Sequence, residues 1–491
     1  MKQIKEARCA EAICLLGAAW RILFFLFDKN LWLDEATVSL NIVRRTFLGL
    51  CSPLDYGQMA PLGFLWLTKA AITVFGDYDL VFRLPELVAS LAALFLFYHL
   101  VGEALPEGGP AAWFALGLFA LNPALMQFTC QVKPYEIDAF AATALLLIGT
   151  RLLRRWQGRD AVLLGIIGSG FAWFSYTSCF VLGAAGLVVG LQTLRARQWR
   201  RFAAVAAAVS VATLNVLAHY YFFNRHSAAS MLKLPMHQET LLQLIPRNLA
   251  ELRLDLNLLG RSIVFPGGYI VPGAGLLLLG LATLEISRKR SLPGALLAAT
   301  VVVGIFGCIA VKYPWNGRLI LFIVPVACLA GGFGIRFLGE GMEASRFRPT
   351  AILLAALTLF PPALNHFART VEPFNNQGTS SVMEQISRRI APGTPILIDP
   401  FSTPVFQFYD RRAGFSSRFR VIGANAYSED EALSASQVRA LTGKGKVWIF
   451  FPDYFIGGTE HPQRVLALLD SIGRRVDAIE LFTSKAYLYD L

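Results

Sequence analysis

Two adjacent carboxylates are the first residues in this chain able to do chemistry. Asp34 and Glu35 stand in Leu31-Trp32-Leu33-Asp34-Glu35-Ala36, immediately beyond an apolar stretch at about residues 10–27. Acidic residues at a helix start cap it and favour the positive end of its dipole. A carboxylate at a membrane surface can also take the proton of an acceptor hydroxyl. Both readings can hold, with Glu35 capping while Asp34 reacts. A second stretch, Thr129-Cys130-Gln131-Val132-Lys133-Pro134-Tyr135-Glu136-Ile137-Asp138, bridges two apolar runs. Pro134 holds Lys133 extended, and a lysine at the end of a span commonly snorkels. Asp138 falls inside the following run, where an ionisable residue is a functional candidate by default. The third stretch is Lys312-Tyr313-Pro314-Trp315-Asn316-Gly317-Arg318. Singly, its cations read as interface anchors. Together with Lys133 they suit an anionic group such as a lipid phosphate, which arginine binds through two parallel N–H groups. Arg83 reads as a span anchor or a further contact, and His219 as a core residue.

The elements that must position these groups are apolar helices. The chain has 491 residues, 55% hydrophobic and only 16% charged, with a mean hydropathy of +0.51. Runs suited to a bilayer, which needs about 20 mostly apolar residues per span, lie near 10–27, 80–100, 111–128, 135–150, 161–176, 179–194, 202–223, 270–286, 292–311, 318–337 and 350–367. We therefore expect a polytopic α-helical membrane protein of about eleven spans. The net charge of +12 sits in short basic loops, such as Arg151–Arg159, Arg195–Arg201 and Arg288–Arg290, rather than on a face with stacking aromatics. That is the pattern of cytoplasmic loops and not of nucleic-acid binding. Threading the runs in order puts these clusters on the side of Lys2, Lys5 and Arg8, so the N-terminus is expected in the cytoplasm. All three candidate stretches then fall on the outer face. Residues 28–79 and 224–269 become long outer loops, the first with surface helices at Ala36–Leu48 and Pro61–Phe75.

Residues 1–369 thus read as the membrane domain and 370–491 as a small extracytoplasmic α/β domain. Its expected elements are helices at Ser381–Ala391, Ser434–Leu441 and His461–Arg474, and strands at Pro395–Asp399 and Gly445–Phe451, in a largely parallel sheet. Of the seven Cys, only Cys51 and Cys130 fall together on the outer side, where a disulfide is chemically possible. No metal-ligand spacing is present.

At its three stretches the chain resembles the type C (GT-C) membrane glycosyltransferases, most closely the family 39 group that includes aminoarabinose transferases and protein O-mannosyltransferases. The sequence LWLDEA is similar to that group's first-loop acidic motif. Met59-Ala60-Pro61-Leu62, with Phe82-Arg83-Leu84-Pro85 further on, is similar to its second segment. Gln131-Val132-Lys133-Pro134-Tyr135 and Tyr313-Pro314 with Arg318 complete an order that runs over about residues 10–340. The chain departs from the pattern where Val132 and Gly317 replace acidic residues and Lys133 replaces an arginine. The resemblance implies a sugar donor on a polyprenyl phosphate, presented from the bilayer of a bacterial-type inner membrane to its outer face, and direct displacement at the anomeric carbon. Asp34 would be the base, Glu35 would position it or the acceptor, and Lys133, Lys312 and Arg318 would stabilise the departing phosphate. Tyr135, Asp138, Tyr313 and Arg83 join the expected substrate contacts. No cofactor is expected, because protein cations can do the work of a metal, with a divalent metal left open. The competing class is a transporter or flippase, for which internal repeats and broken helices are expected; the sequence displays neither.

Overall fold

The computed structural model describes residues 2–27, 30–225, 238–340, 344–371, 378–423, 438–454 and 460–491. All eleven apolar runs are largely helical, although the run at 111–128 is divided between two helices and the run at 318–337 begins as a 3-10 turn. In chain order the membrane portion consists of α1 (Lys2–Leu26), α2 (Leu33–Arg44), α3 (Leu62–Phe75), α4 (Asp79–Ala104), α5 (Gly109–Ala120), α6 (Pro123–Phe128) and α7 (Tyr135–Arg154). It continues with α8 (Gly158–Phe171), α9 (Ser178–Arg195), α10 (Trp199–His219), α11 (Leu249–Val264), α12 (Pro272–Lys289) and α13 (Leu292–Val311). A 3-10 turn at Gly317–Ile323 leads into α14 (Val324–Glu340), and α15 (Ala344–Val371) follows.

Among the described residues, seven helices are long and apolar enough to cross a bilayer by length and composition: Arg8–Leu26, Asp79–Ala104, Gly109–Phe128, Ser178–Arg195, Trp199–Asn224, Leu292–Val311 and Gly317–Gly339. The eleven expected spans therefore contain helices of two kinds. Helix α7 falls in the second kind because it carries Glu136, Asp138, Arg151 and Arg154. It lies at the centre of the bundle with nearly all its residues buried, touching α4, α9 and the 3-10 turn. Protein neighbours rather than lipid surround it, which is where polar groups inside a membrane are tolerated. Helix α12 carries Glu285, whose carboxylate binds Arg336 at 3.0 Å and Arg288 at 2.9 Å.

The two surface helices expected in the first outer loop are α2 and α3, but α2 does not lie on an open surface. Residues Glu35 to Ile42 are all buried, because a second layer covers them. That layer is the C-terminal unit: α16 (Thr379–Arg389), β1 (Ile396–Ile398), α17 (Thr403–Ala413), α18 (Phe415–Arg418), β2 (Val421–Ile422), β3 (Lys446–Phe451), α19 (Glu460–Ile472), β4 (Arg474–Glu480) and β5 (Lys485–Asp490). The helices at 379–389 and 460–472 and the strands at 396–398 and 446–451 match expectation. Half of the helix expected at Ser434–Leu441, residues 434–437, lies outside the described residues.

The sheet order is β2-β1-β3-β5-β4. Pairs β1–β2 and β1–β3 are parallel, whereas β3–β5 and β4–β5 are antiparallel. The sheet is mixed, not largely parallel. Strands β4 and β5 join through a short turn, and such a hairpin needs no crossover helix. In β4 the sequence Arg474-Arg475-Val476 is exposed at the sheet edge, so it lacks the apolar alternation that marks a half-buried strand.

Helix α17 packs across α2 and ties it down with polar bonds. The Tyr409 hydroxyl accepts from Leu31 N–H and donates to Asp79 Oδ2, both at 2.6 Å. Asp453 Oδ2 accepts from Leu33 N–H at 3.2 Å, satisfying a donor at the first turn of α2. Arg411 and Arg412 pair with Asp77, and Arg412 also with Asp79. Because Tyr409 is buried between two partners, Tyr409→Phe strands Leu31 N–H and one Asp79 oxygen. The expected cost is roughly 1–3 kcal/mol, read as a lower midpoint in thermal unfolding of the detergent-solubilised protein; an unchanged midpoint would show that this clasp contributes nothing.

Candidate active site

Asp34 occupies the second residue of α2, where the helix emerges beneath the C-terminal unit. Both its carboxylate oxygens are engaged: Lys133 Nζ donates to Oδ1 and Arg318 Nη1 donates to Oδ2, each at 2.9 Å. Residues distant in the chain meet here because two loops converge on α2. One links α6 to α7 and carries Lys133; the other is the 3-10 turn carrying Arg318. The Lys133 side chain is nearly inaccessible at 6% exposed, while Asp34 and Arg318 keep 18% and 30%. The cluster is thus open on one side. Gln58 Oε1 accepts a second bond from Lys133 Nζ at 2.7 Å. The loop bearing Gln58 is held in turn by Asn41, whose amide exchanges hydrogen bonds with the Asp55 backbone. Arg318 is steadied by the rings of Trp32 and Tyr135, each 5.9 Å from its guanidinium carbon.

Burial pushes the Asp34 carboxyl upward, and the Lys133 ammonium and Arg318 guanidinium more than offset this, holding it below the usual carboxylate range. Asp34 is therefore ionised and cation-bound at neutral pH.

Glu35 behaves differently from its neighbour. Its two oxygens accept from Arg83 Nε and Nη2 at 3.1 and 3.2 Å, and Oε1 also accepts from Val132 N–H at 2.7 Å. Glu35 and Arg83 are 2% and 1% exposed. Glu35 and Arg83, expected at the reaction centre and at the substrate, are in this structure bonded to each other. The pair locks α2, α4 and the Lys133 loop into one frame. Val132, where the family pattern has an acid, contributes its backbone N–H to this frame and its buried side chain to the core.

The other expected residues divide. Tyr135 joins the cluster through Arg318. Asp138 accepts from Ser175 Oγ at 2.5 Å and is buried, bracing the turn before α9. Tyr313 packs edge-on to Phe180. Lys312 adopts a left-handed backbone conformation that closes α13, is exposed, and makes no ion pair among the described residues. Gly317, the other departure from the family pattern, is required by space: a Cβ there would stand 2.6 Å from the Phe265 ring. Cys51 and Cys130 are both free thiols. Among the described residues, no group of three or more His, Cys, Asp and Glu side chains is arranged to hold a metal ion.

Sequence reasoning did not single out Gln58, which stands in an unremarkable polar loop. It also passed over a buried set around α4, in which Glu86 Oε2 accepts from Glu136 N–H at 2.9 Å and Arg21 donates to Ser90 Oγ at 2.9 Å. Arg21, Glu86 and Ser90 all lie within the apolar runs, and their charge or polarity there was the available signal.

This architecture, a helical bundle with a small C-terminal sheet packed over its outer helices, is a fold shared with solved structures. Among solved structures it is similar to ArnT from Cupriavidus metallidurans. The undecaprenyl phosphate-bound form overlays with a TM-score of 0.53 at 13% identity, covering 96% of this chain and 97% of that one. The apo form overlays with a TM-score of 0.53 at 14% identity and the same coverage. At such identities the likeness is one of fold. The arabinosyltransferase EmbB from Mycobacterium smegmatis overlaps more loosely, with a TM-score of 0.43 at 16% identity over 67% of this chain and 30% of that one. No known protein family and no curated protein matches the chain by sequence.

Proposed function

We propose that this protein is an integral membrane glycosyltransferase that moves a sugar from a polyprenyl phosphate to an acceptor hydroxyl at the outer face of the membrane. The observation that carries the reading is the triad of Asp34, Lys133 and Arg318: one carboxylate between two cations, open on one side. The ArnT structure with bound undecaprenyl phosphate supports a lipid phosphate as donor in the same fold. The eleven helices are read as spans, with the N-terminus cytoplasmic and the C-terminal unit outside.

In the proposed reaction the acceptor oxygen attacks the anomeric carbon. A new C–O bond forms as the bond from that carbon to the phosphate oxygen breaks. The hydroxyl proton passes to Asp34, and the electron pair leaves with the polyprenyl phosphate. Lys133 and Arg318 bind the phosphate and gain interaction energy as its charge grows, which is how a preformed site lowers a barrier.

A carboxylate already bound by two cations is a weak base. The donor phosphate competes for both cations, and each contact it takes raises the basicity of Asp34. The donor thereby arms the base, and donor binding should precede acceptor activation.

The pH profile tests this ordering. Free Asp34 has its pKa below the unfolded value of about 3.9, so the stability it contributes is complete above that value and is lost as pH falls through the lower folded one. The acid limb of kcat/KM for the donor, which reports free enzyme, is expected below about pH 4. The limb of kcat, which reports the complex, is expected at higher pH. Coincident limbs would remove the arming step. Lys133→Ala and Arg318→Ala are each expected to weaken donor binding about 10- to 100-fold, from the ~1.5–3 kcal/mol of a charge-assisted bond; unchanged donor affinity in both would refute the phosphate role. At the level of the cell, mass spectrometry should show a lipid-linked sugar accumulating and one envelope glycan losing that sugar when the gene is deleted. No change in either would overturn the transferase reading.

A further inference from the structure

The loop that carries Gln58 takes a backbone path that its own residues do not favour. Tyr56 and Gly57 stand in succession at φ of +61° and +59°. For tyrosine the left-handed region is sterically costly, so the surroundings must hold it there. They do so on both sides. Asp55 is fixed by the Asn41 amide through its backbone and by Arg45 through its carboxylate at 2.8 Å. The Tyr56 hydroxyl accepts from Arg44 Nη1 and donates to Gln407 Oε1, both at 3.0 Å. Arg44 Nη2 closes the ring by donating to the same Gln407 oxygen at 2.9 Å. Its three members come from three places. Arg44 ends α2, Tyr56 lies in the loop before α3, and Gln407 is on α17 of the C-terminal unit.

The turn directs Gln58 because the Gln58 amide is bonded to it. Gln58 Nε2 donates to the Tyr56 carbonyl at 3.5 Å, and Gln58 N–H donates to the Asp55 carbonyl at 3.4 Å. Both bonds are long, so they orient the amide only while the turn keeps its shape. With Nε2 directed at the backbone, Oε1 faces Lys133 and accepts from Nζ at 2.7 Å. An ammonium carries three N–H donors. Asp34 takes a second one, which leaves the third for a ligand among the described residues. The two acceptors respond differently to an arriving anion. The Asp34 charge competes with it for Lys133, whereas the neutral Gln58 oxygen does not. The Gln58 bond is therefore the one that keeps Nζ in place when an anion binds.

We propose that Gln407 is a positioning residue: from the C-terminal unit it holds the Tyr56 turn, and the turn aims Gln58 at Lys133. The C-terminal unit thereby shapes the Asp34 cluster without touching it. The consequence for the donor rests on the transferase reading above; the positioning of Lys133 does not. The test is the rate at which acetic anhydride acetylates Lys133, followed by mass spectrometry on the full-length protein in lipid nanodiscs without substrate. Gln407→Ala and Tyr56→Phe should each speed this labelling about three- to tenfold, the range of one lost hydrogen bond. Neither should add to the effect of Gln58→Ala, because a single chain of contacts is broken only once. Gln407→Glu keeps an accepting oxygen for Arg44 and Tyr56 and should label like the wild type. Lys69 is the internal control, since its Nζ donates to the Ile42 and Val43 carbonyls near the end of α2; its labelling should not change. Unchanged labelling of Lys133 in Gln407→Ala, additivity with Gln58→Ala, equal damage by Gln407→Glu, or a parallel rise at Lys69 would overturn the proposal. Undecaprenyl phosphate should bind Gln407→Ala about three- to tenfold more weakly than the wild type, by the same loss. Faster labelling with that affinity unchanged would refute the phosphate role of Lys133 and leave its positioning by Gln407 standing.

Discussion

Asp34→Asn is expected to lower the rate of sugar transfer by roughly 10²- to 10⁴-fold, the usual contribution of a positioned general base. Asparagine keeps the shape and one accepting oxygen, so Lys133 or Arg318 retains a partner at Asp34. What is lost is the negative charge between them. Two consequences follow in opposite directions. The chemical step fails, because an amide cannot take the acceptor proton. Donor affinity is kept or improved, because the phosphate no longer competes with a carboxylate for the same cations. A variant with kcat collapsed and donor binding intact is therefore the signature of the proposed role. Transfer at the wild-type rate would show that another group is the base, and loss of both properties together would show that Asp34 holds the site's shape rather than reacting. The measurement is single-turnover transfer from a radiolabelled polyprenyl-phosphate sugar, with donor binding followed separately on the same preparation.

The second large effect is on stability. Glu35→Ala or Arg83→Ala is expected to destabilise the protein by about 3–5 kcal/mol, because each leaves its partner's charge buried and unpaired. The two side chains are each 2% exposed and are joined through two hydrogen bonds. Glu35→Ala also strands Val132 N–H, so it should be the more disruptive for the Lys133 loop. Combining Glu35→Leu with Arg83→Met removes both charges and should recover much of the loss, since a buried ion pair is often replaceable by apolar residues of similar volume. Chemical denaturation in mild detergent, or the thermal midpoint, reads the difference. If either single variant unfolds like the wild type, the frame between α2 and α4 does not depend on this pair. Activity should fall in step with the displacement of Lys133, which separates Glu35 from Asp34 even though the two are neighbours in sequence.

That separation shows where sequence reasoning stops. A carboxylate's identity and its place after an apolar run are local facts, and so Asp34-Glu35 stood out as a pair. Which of them turns to the open cluster and which to Arg83 depends on the rotation of α2 against α4, a property of packing. The same holds for the cations. Lys133, Lys312 and Arg318 were all expected at one phosphate, and charge alone does not rank them. The fold brings Lys133 and Arg318 to Asp34 across 99 and 284 residues, while Lys312 is spent closing α13 at the exposed surface.

Hydropathy determined the helices of the membrane bundle, because a bilayer imposes length and apolarity on each segment separately and the record is therefore local. Local pattern likewise determined the two helices and two strands recovered in the C-terminal unit. Only the tertiary structure decided that this unit clamps α2 through Tyr409 and Asp453, that β5 joins β3 antiparallel, and that Gln58 completes the Lys133 site. Each of these is a pairing between distant segments, made by hydrogen bonds whose partners carry no shared periodicity, and such pairings exist only once the chain has packed.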